Sequence, residues 1–347
     1  AEQIYAADDI DIVVECMGGK GAAYRFVKAA LERGKHVVTS NKELIADCGE
    51  ELERIAREKG VCLRYEASCG GGIPVIKPIE EDLAANRITR VAGILNGTTN
   101  YILTRMREGG VSFDAALKEA QQKGSADVLG WDARRKICIL AHVAFGTPLT
   151  DSAIRTEGID RLTREDMLYA RELGRSVKLL AEAERTGFGW RACVTPAMLP
   201  DSHPLACVSD VFNAVLVHGD KVDDVMFYGR GAGTAPTASA VCGDVLDIVR
   251  CPRKRGERPD GAALPALPSF TRQLRLFVRV RTARTPESEA QVLAAFPGAR
   301  LVQIEGEAFA DEFALVTALG QEDALLDAAE QLAQALPCGA PIRYLTL

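Results

Sequence analysis

The run Ile10-Asp11-Ile12-Val13-Val14-Glu15, followed by Gly18 and Gly19 and then by residues 20–33, decides the fold class. The first six residues make a short apolar run of strand length. Ala22, Ala23, Phe26, Val27, Ala29, Ala30 and Leu31 then recur at helical spacing, and Gly34 ends that helix. The unit repeats. His36-Val37-Val38-Thr39 predicts a second strand, residues 46–59 a second helix stopped by Gly60, and Val61-Cys62-Leu63-Arg64-Tyr65 a third strand. Strands alternating with helices of this length predict a parallel sheet with crossover helices, a partial Rossmann-type doubly wound α/β unit. It is partial because no strand followed by G-x-G-x-x-G occurs anywhere in the sequence. Such a turn at a helix N-terminus normally holds a dinucleotide pyrophosphate.

Beyond residue 66 the pattern changes. Residues 72–84 read as helical after a glycine-rich turn, residues 88–95 as a strand, residues 113–123 and 130–145 as helices, and residues 163–185 as one further helix. Residues 190–194, 211–217 and 224–228 read as strands, antiparallel neighbours in one sheet, and residues 236–249 as a helix. These predict an α+β part with an open mixed sheet over residues 67–230. Residues 231–250 return to the first unit, residues 1–66. The basic cluster of residues 250–258 sits among Pro252, Pro259, Pro265 and Pro268, so residues 251–269 read as a linker. Residues 270–347 then run strand, helix, strand, strand, helix, strand, a ferredoxin-like βαββαβ unit.

Bulk properties exclude several classes. At 347 residues, 47% hydrophobic and 26% charged, the chain is that of a globular protein of two or three folded parts. A net charge of −6 leaves no basic footprint for nucleic acid. No apolar run reaches the length of a membrane span, and residues 1–11 have no signal-peptide pattern. The 10 cysteines are scattered singly, which suits reduced thiols in a cytoplasmic setting better than a disulfide framework. The 4 histidines lie far from one another and from any cysteine pair, against a zinc site.

Five stretches, in order, carry a family resemblance. They are Thr39-Ser40-Asn41-Lys42, then Tyr65-Glu66-Ala67-Ser68-Cys69-Gly70-Gly71-Gly72-Ile73-Pro74, then Asn96-Gly97-Thr98-Thr99-Asn100-Tyr101, then Gly130-Trp131-Asp132-Ala133-Arg134-Arg135-Lys136, and last Gly229-Arg230-Gly231-Ala232-Gly233-Thr234-Ala235-Pro236-Thr237-Ala238-Ser239-Ala240. Together they resemble the homoserine dehydrogenase family over residues 9–249. The terminal βαββαβ unit is similar to the ACT domains of longer family members. The chain departs from the family where the glycine-rich first βαβ unit is expected. It departs again where a loop of the type Tyr-Ala-Glu-Ala-Asp-Pro is expected and Gly124 runs directly into Ser125.

The resemblance implies NADP or NAD as cofactor, and L-homoserine with L-aspartate 4-semialdehyde as the substrate pair. Oxidising an alcohol with such a cofactor requires the carbinol carbon to meet the nicotinamide, a base to take the hydroxyl proton, and a donor to steady the oxygen. Lys136 is the expected acid/base, with Asp132 one helical turn before it to hold the substrate ammonium or orient the lysine. The residues alone leave open a plain Asp–Lys surface pair. Lys42, at a strand end where ligands of open α/β sheets bind, is expected near both cofactor and substrate, and a solvated loop lysine is the alternative.

Gly97, Thr98 and Asp127 are expected beside the substrate, the first two also serving simply to start a helix. Gly18, Gly19, Thr39, Ser40, Asn41, Gly231 and Gly233 are expected at the cofactor, and Gly231 and Gly233 could otherwise meet the substrate carboxylate. The resemblance implies a sodium or potassium ion on Glu66 and on the backbone of Cys69, Gly71 and Ile73; a tight turn entering a helix is the alternative. It also implies a homodimer or tetramer through the middle sheet. The C-terminal unit could bind a regulatory amino acid; its first turn, Thr282-Ala283-Arg284-Thr285-Pro286-Glu287-Ser288, has no glycine, so a folding or dimer-contact module is the alternative. Two other functions are set against this one. The first is a non-catalytic amino-acid-sensing remnant, and the second a semialdehyde dehydrogenase with Cys69 as nucleophile.

Overall fold

The structure is a computed structural model that describes residues 2–122, 127–146, 151–250, 265–267 and 272–346. The chain begins α1 (Glu2–Ala6), β1 (Ile12–Glu15), α2 (Gly21–Glu32), β2 (His36–Thr39), α3 (Lys42–Lys59) and β3 (Leu63–Arg64). The three strands pair in parallel in the order β1-β2-β3, with Ile12 opposite His36 and Val37 opposite Leu63. α2 turns Ala23, Val27, Ala30 and Leu31 into the core. α3 starts earlier than its apolar pattern suggests, because the Asn41 side chain accepts the Leu44 N–H at 3.1 Å and caps it.

The middle runs β4 (Ile88–Ile94), α4 (Gly97–Gly109), α5 (Phe113–Gln122), α6 (Trp131–Phe145), β5 (Arg155–Thr156), α7 (Arg164–Glu172), β6 (Arg175–Arg185), β7 (Trp190–Pro200), β8 (Phe212–Gly219), β9 (Asp223–Arg230) and α8 (Thr234–Arg250). Two expectations are corrected here. Residues 163–185 are not one helix: α7 stops at Glu172, Gly174 follows at φ +65°, and β6 begins at Arg175. β6 is rich in helix-forming Leu, Ala, Glu and Lys, but it lies between β4 and β7 with both faces buried, so no alternation marks it as a strand. Within residues 72–84 only residues 76–82 are helical, Pro78–Asp82 of them as a π turn. α6 packs on the mixed sheet against β4, β6 and β7 and touches α3, so it bridges the two parts.

The last part is β10 (Gln273–Val280), α9 (Pro286–Ala295), β11 (Arg300–Val302), β12 (Phe313–Val316), β13 (Gly320–Gln321), α10 (Glu322–Ala335) and β14 (Ile342–Tyr344). Its strands lie in the order β11-β12-β10-β14, all antiparallel, the ferredoxin-like arrangement of a βαββαβ chain. It does not stand apart. β14 pairs in parallel with β7, Arg343 opposite Ala197 and Tyr344 opposite Met198, so one sheet of 11 strands runs through both parts. Of the expected linker, residues 265–267 are described; Trp190 donates to the Pro265 carbonyl at 3.0 Å and accepts from Leu267 at 2.7 Å.

Buried charges stitch this seam. Glu322 and Arg343 are wholly buried and bonded to each other at 2.8 Å. Arg272 ties Glu322 to Glu182, and Arg90 also holds Glu182. Such charges are tolerated inside a protein only when paired, since an unpaired one costs several kcal/mol. No described helix is long and apolar enough to cross a membrane. Among the 9 described cysteines no disulfide forms.

Candidate active site

α6 is set by its entry. Gly130 takes φ +85°, a region that favours glycine, and the Asp127 carboxylate accepts the Gly130 N–H at 3.1 Å and the Asp132 N–H at 2.5 Å. Asp127, expected beside the substrate, therefore serves as the cap of the helix that carries Asp132 and Lys136. That helix places the two side chains one turn apart. The Lys136 amine donates to Asp132 Oδ2 at 2.8 Å and to the Leu95 carbonyl, at the end of β4, also at 2.8 Å.

Lys136 is buried, with 8% of its surface exposed, so it is not a wet surface lysine. Asn96, the cap of α4, donates its amide to Asp132 Oδ2 at 3.0 Å. Lys42, the first residue of α3, reaches across from the parallel-sheet part to Asp132 Oδ1 at 3.2 Å. One carboxylate is thus shared by two lysines from different parts. Burial works to raise the Asp132 carboxyl, but the charges of Lys136 and Lys42 and the hydrogen bonds of Lys136 and Asn96 outweigh it and hold it down at about 2. Gly97 and Thr98 open α4 directly beside Asn96.

The glycine-rich turn lies behind Lys136. Cys69 is fully buried, with its thiol 3.6 Å from the Lys136 carbonyl. Burial pushes that thiol up to about 12, against the weaker pull of Lys136, so it has no thiolate to offer near neutral pH. The nucleophilic reading of Cys69 is corrected on that ground. The Glu66 carboxylate accepts the N–H groups of Val75, Ile76 and Lys77 at 2.7, 2.9 and 2.8 Å, so much of its hydrogen-bonding capacity serves the turn it caps. Asp244 of α8 accepts the Glu66 N–H at 2.9 Å; burial, with the nearby Glu66 charge, pushes its carboxyl up to about 7. Among the described residues no group of three or more His, Cys, Asp or Glu is placed to hold a metal. A hard cation would have to rely on carbonyls of the Cys69–Ile73 turn beside one Glu66 oxygen.

At the carboxyl ends of β1 and β2 a second group gathers. Thr39 donates to the Glu15 carboxylate at 2.6 Å, Ser40 N–H reaches the Glu15 carbonyl at 3.3 Å, and Asn41 ties the Gly19 carbonyl at 2.6 Å. Gly18 and Gly19 are exposed, with positive φ and open space beside them. Exposed, polar ends of parallel strands such as these are where open α/β sheets bind their ligands. Gly231 packs so closely on the Cys69–Ile73 turn that a Cβ on Gly71 would meet its carbonyl carbon at 2.6 Å, and Gly233 leads into α8. The join of Gly124 to Ser125, where the family loop is expected, lies outside the described residues.

Several residues of this site were not singled out from sequence: Asn96, Glu15 and Asp244. Asn96 carried a signal, a capping residue directly before a helix start. The others are isolated polar residues in apolar surroundings, which mark burial without naming a partner.

Fold and site define a class: a dinucleotide-type α/β unit joined to a mixed-sheet part, with an Asp–Lys pair at the junction. Residues 74–246 match the homoserine dehydrogenase family model, and residues 1–66 the model of that family's NAD-binding domain. The chain belongs to the homoserine dehydrogenase family. It is 48% identical over 254 residues to a homoserine dehydrogenase of Neisseria gonorrhoeae, covering 72% of this chain and 58% of that one. It is 45% identical over 299 residues to one of Pseudomonas aeruginosa, covering 82% of this chain and 69% of that one. The crystal structure of a homoserine dehydrogenase from Thiobacillus denitrificans superposes with a TM-score of 0.89 at 39% identity, covering 99% of this chain and 84% of the other. The chain thus spans little more than half the length of the first of these relatives.

Proposed function

We propose that the protein interconverts L-homoserine and L-aspartate 4-semialdehyde with NADP or NAD, in the biosynthesis of threonine, methionine and isoleucine. The carrying observation is the buried Lys136 amine, fixed by Asp132 and the Leu95 carbonyl at the meeting of α3, α4 and α6. When bound, the nicotinamide supplies or takes the hydride. In the reductive direction Lys136 passes a proton to the aldehyde oxygen; in the oxidative direction it takes the proton from the hydroxyl. Asp132 holds that amine in place and offers its other oxygen to the substrate ammonium. Lys42 neutralises charge at the same carboxylate. Asp127 shapes the helix entry and, with Gly97 and Thr98, borders the substrate.

On the cofactor side, Gly18, Gly19, Thr39, Ser40, Asn41, Lys42, Gly231 and Gly233 border the nicotinamide nucleotide. A sodium or potassium ion on Glu66, Cys69, Gly71 and Ile73 would steady the turn behind Lys136. We divide the protein into residues 1–66 with 231–250, residues 67–230, and residues 270–347, the last an ACT-like module open to a regulatory amino acid. The exposed edge strand β9, with Met226 and Tyr228 on its outer face, suits a homodimer or tetramer. Singly placed thiols suit the cytoplasm. The test is homoserine-dependent NADPH or NADH formation by the full-length protein. No turnover with either nucleotide overturns the proposal.

A further inference from the structure

Asn213 on β8 is 1% exposed, and neither its amide nitrogen nor its amide oxygen has a hydrogen-bond partner among the described residues. An unpaired buried amide is expensive and needs a reason. Its position supplies one. The amide lies between two glycines: a Cβ built on Gly231 would fall 2.0 Å from Asn213 Nδ2, and one on Gly97 would fall 3.4 Å from Oδ1. Any side chain at 231 would collide with this amide.

The two glycines lead into the N-termini of two helices, α4 of 13 residues and α8 of 17. Helix N-termini favour negative charge. Asn96, the residue before Gly97, donates to Asp132, so the glycine beside the amide is one residue along the chain from a contact of the proposed reacting centre.

We propose that Asn213 is a specificity-determining residue whose amide N–H₂ binds the α-carboxylate of the amino-acid substrate, between Gly97 and Gly231. This rests on the homoserine reading of the same site. The group recognised is a carboxylate on a small zwitterion: Nδ2 donates to the carboxylate, while the ammonium stays with Asp132. Lys136 then meets the hydroxyl end of the substrate.

The test compares the full-length wild type with Asn213→Leu and Asn213→Asp, using L-homoserine and 2-amino-1,4-butanediol, which replaces the carboxylate by a hydroxymethyl group. Thermal shifts report binding without turnover, and steady-state rates give kcat and KM. The wild type should prefer homoserine, and Asn213→Leu should raise its KM by about 10- to 100-fold, the worth of a hydrogen bond to a charged group. The amino alcohol should be little affected, and the preference should shrink. Asn213→Asp, nearly isosteric, should repel the carboxylate and shrink it further. Because Asn213→Leu removes an unpaired polar group, its unliganded melting temperature should hold or rise. Undiminished preference for homoserine in both variants overturns the proposal, whatever their stability. A wild type that binds homoserine through its carboxylate yet does not oxidise it overturns the dehydrogenase reading and leaves this one standing.

Discussion

Arg343 of β14 grips the Glu157 carboxylate with both of its terminal guanidinium nitrogens, one of them at 2.7 Å. Glu157 sits just after β5, and two residues on Ile159 N–H holds the Val128 carbonyl at 2.8 Å. Val128 adjoins Asp127, the cap of α6. The C-terminal module is therefore tied by a short run of contacts to the helix that carries Asp132 and Lys136. Arg343→Met would leave Glu322 and Glu157 short of a buried partner. Denaturant unfolding should show a loss of about 3–5 kcal/mol. Arg343→Lys should lose less, and an unchanged midpoint for Arg343→Met would refute this account of the seam.

Lys136→Ala should lower kcat by about a hundred- to ten-thousand-fold, the range of a positioned proton donor. Steady-state rates with homoserine check this. The fold should survive, since Asp132 retains Lys42 and Asn96 as partners. Cofactor affinity, measured by fluorescence titration, should change little.

Asp132→Asn changes acid stability in a defined direction. The Asp132 carboxyl is held at about 2 against an ordinary 3.8, so its ionised form stabilises the fold above the ordinary value. That contribution, about 2 kcal/mol, is lost as pH falls toward the lower value. Between about pH 4 and 2 the wild type should lose stability more steeply than Asp132→Asn, as read by circular dichroism.

Lys178 on β6 is buried and donates to the Asn100 side-chain oxygen at 3.2 Å and to the Val208 carbonyl at 2.5 Å. Burial, and secondly the charge of Arg107, push its amine down to about 8 from 10.5, with Glu108, Cys207 and Asp201 pulling the other way. Between those values the unfolded chain holds this proton more firmly than the folded one, so stability should rise with pH from about 8 to 10.5. Lys178→Met should flatten that rise in urea titrations across the window. A parallel rise in the variant would show that other groups carry it.

The parallel strands and α2, α3, α6 and α8 were legible because each buries a single apolar face or a continuous apolar run. β6 was not, since a strand buried on both faces shows no alternation and its Leu, Ala and Glu residues favour helix. Gly174 was the overlooked stop signal. The Asp132–Lys136 spacing could be read directly from helical geometry. The reach of Lys42 across to Asp132 could not, because contacts between residues 90 apart depend on how α3 meets α6. The role of Asp127 as a helix cap was hidden by its family association with substrate, and Asn213 was hidden inside a run that otherwise reads as an ordinary apolar strand. The join of β14 to β7 left no local trace; edge-to-edge pairing is a matter of shape.

That join has a mechanical consequence. A strand from the chain's last residues serves as a rung beside β7, and a buried arginine locks it there, so covalent continuity is not what keeps the two halves together. A single protease nick in the segment connecting them should yield two fragments that travel as one particle and come apart only under denaturing conditions.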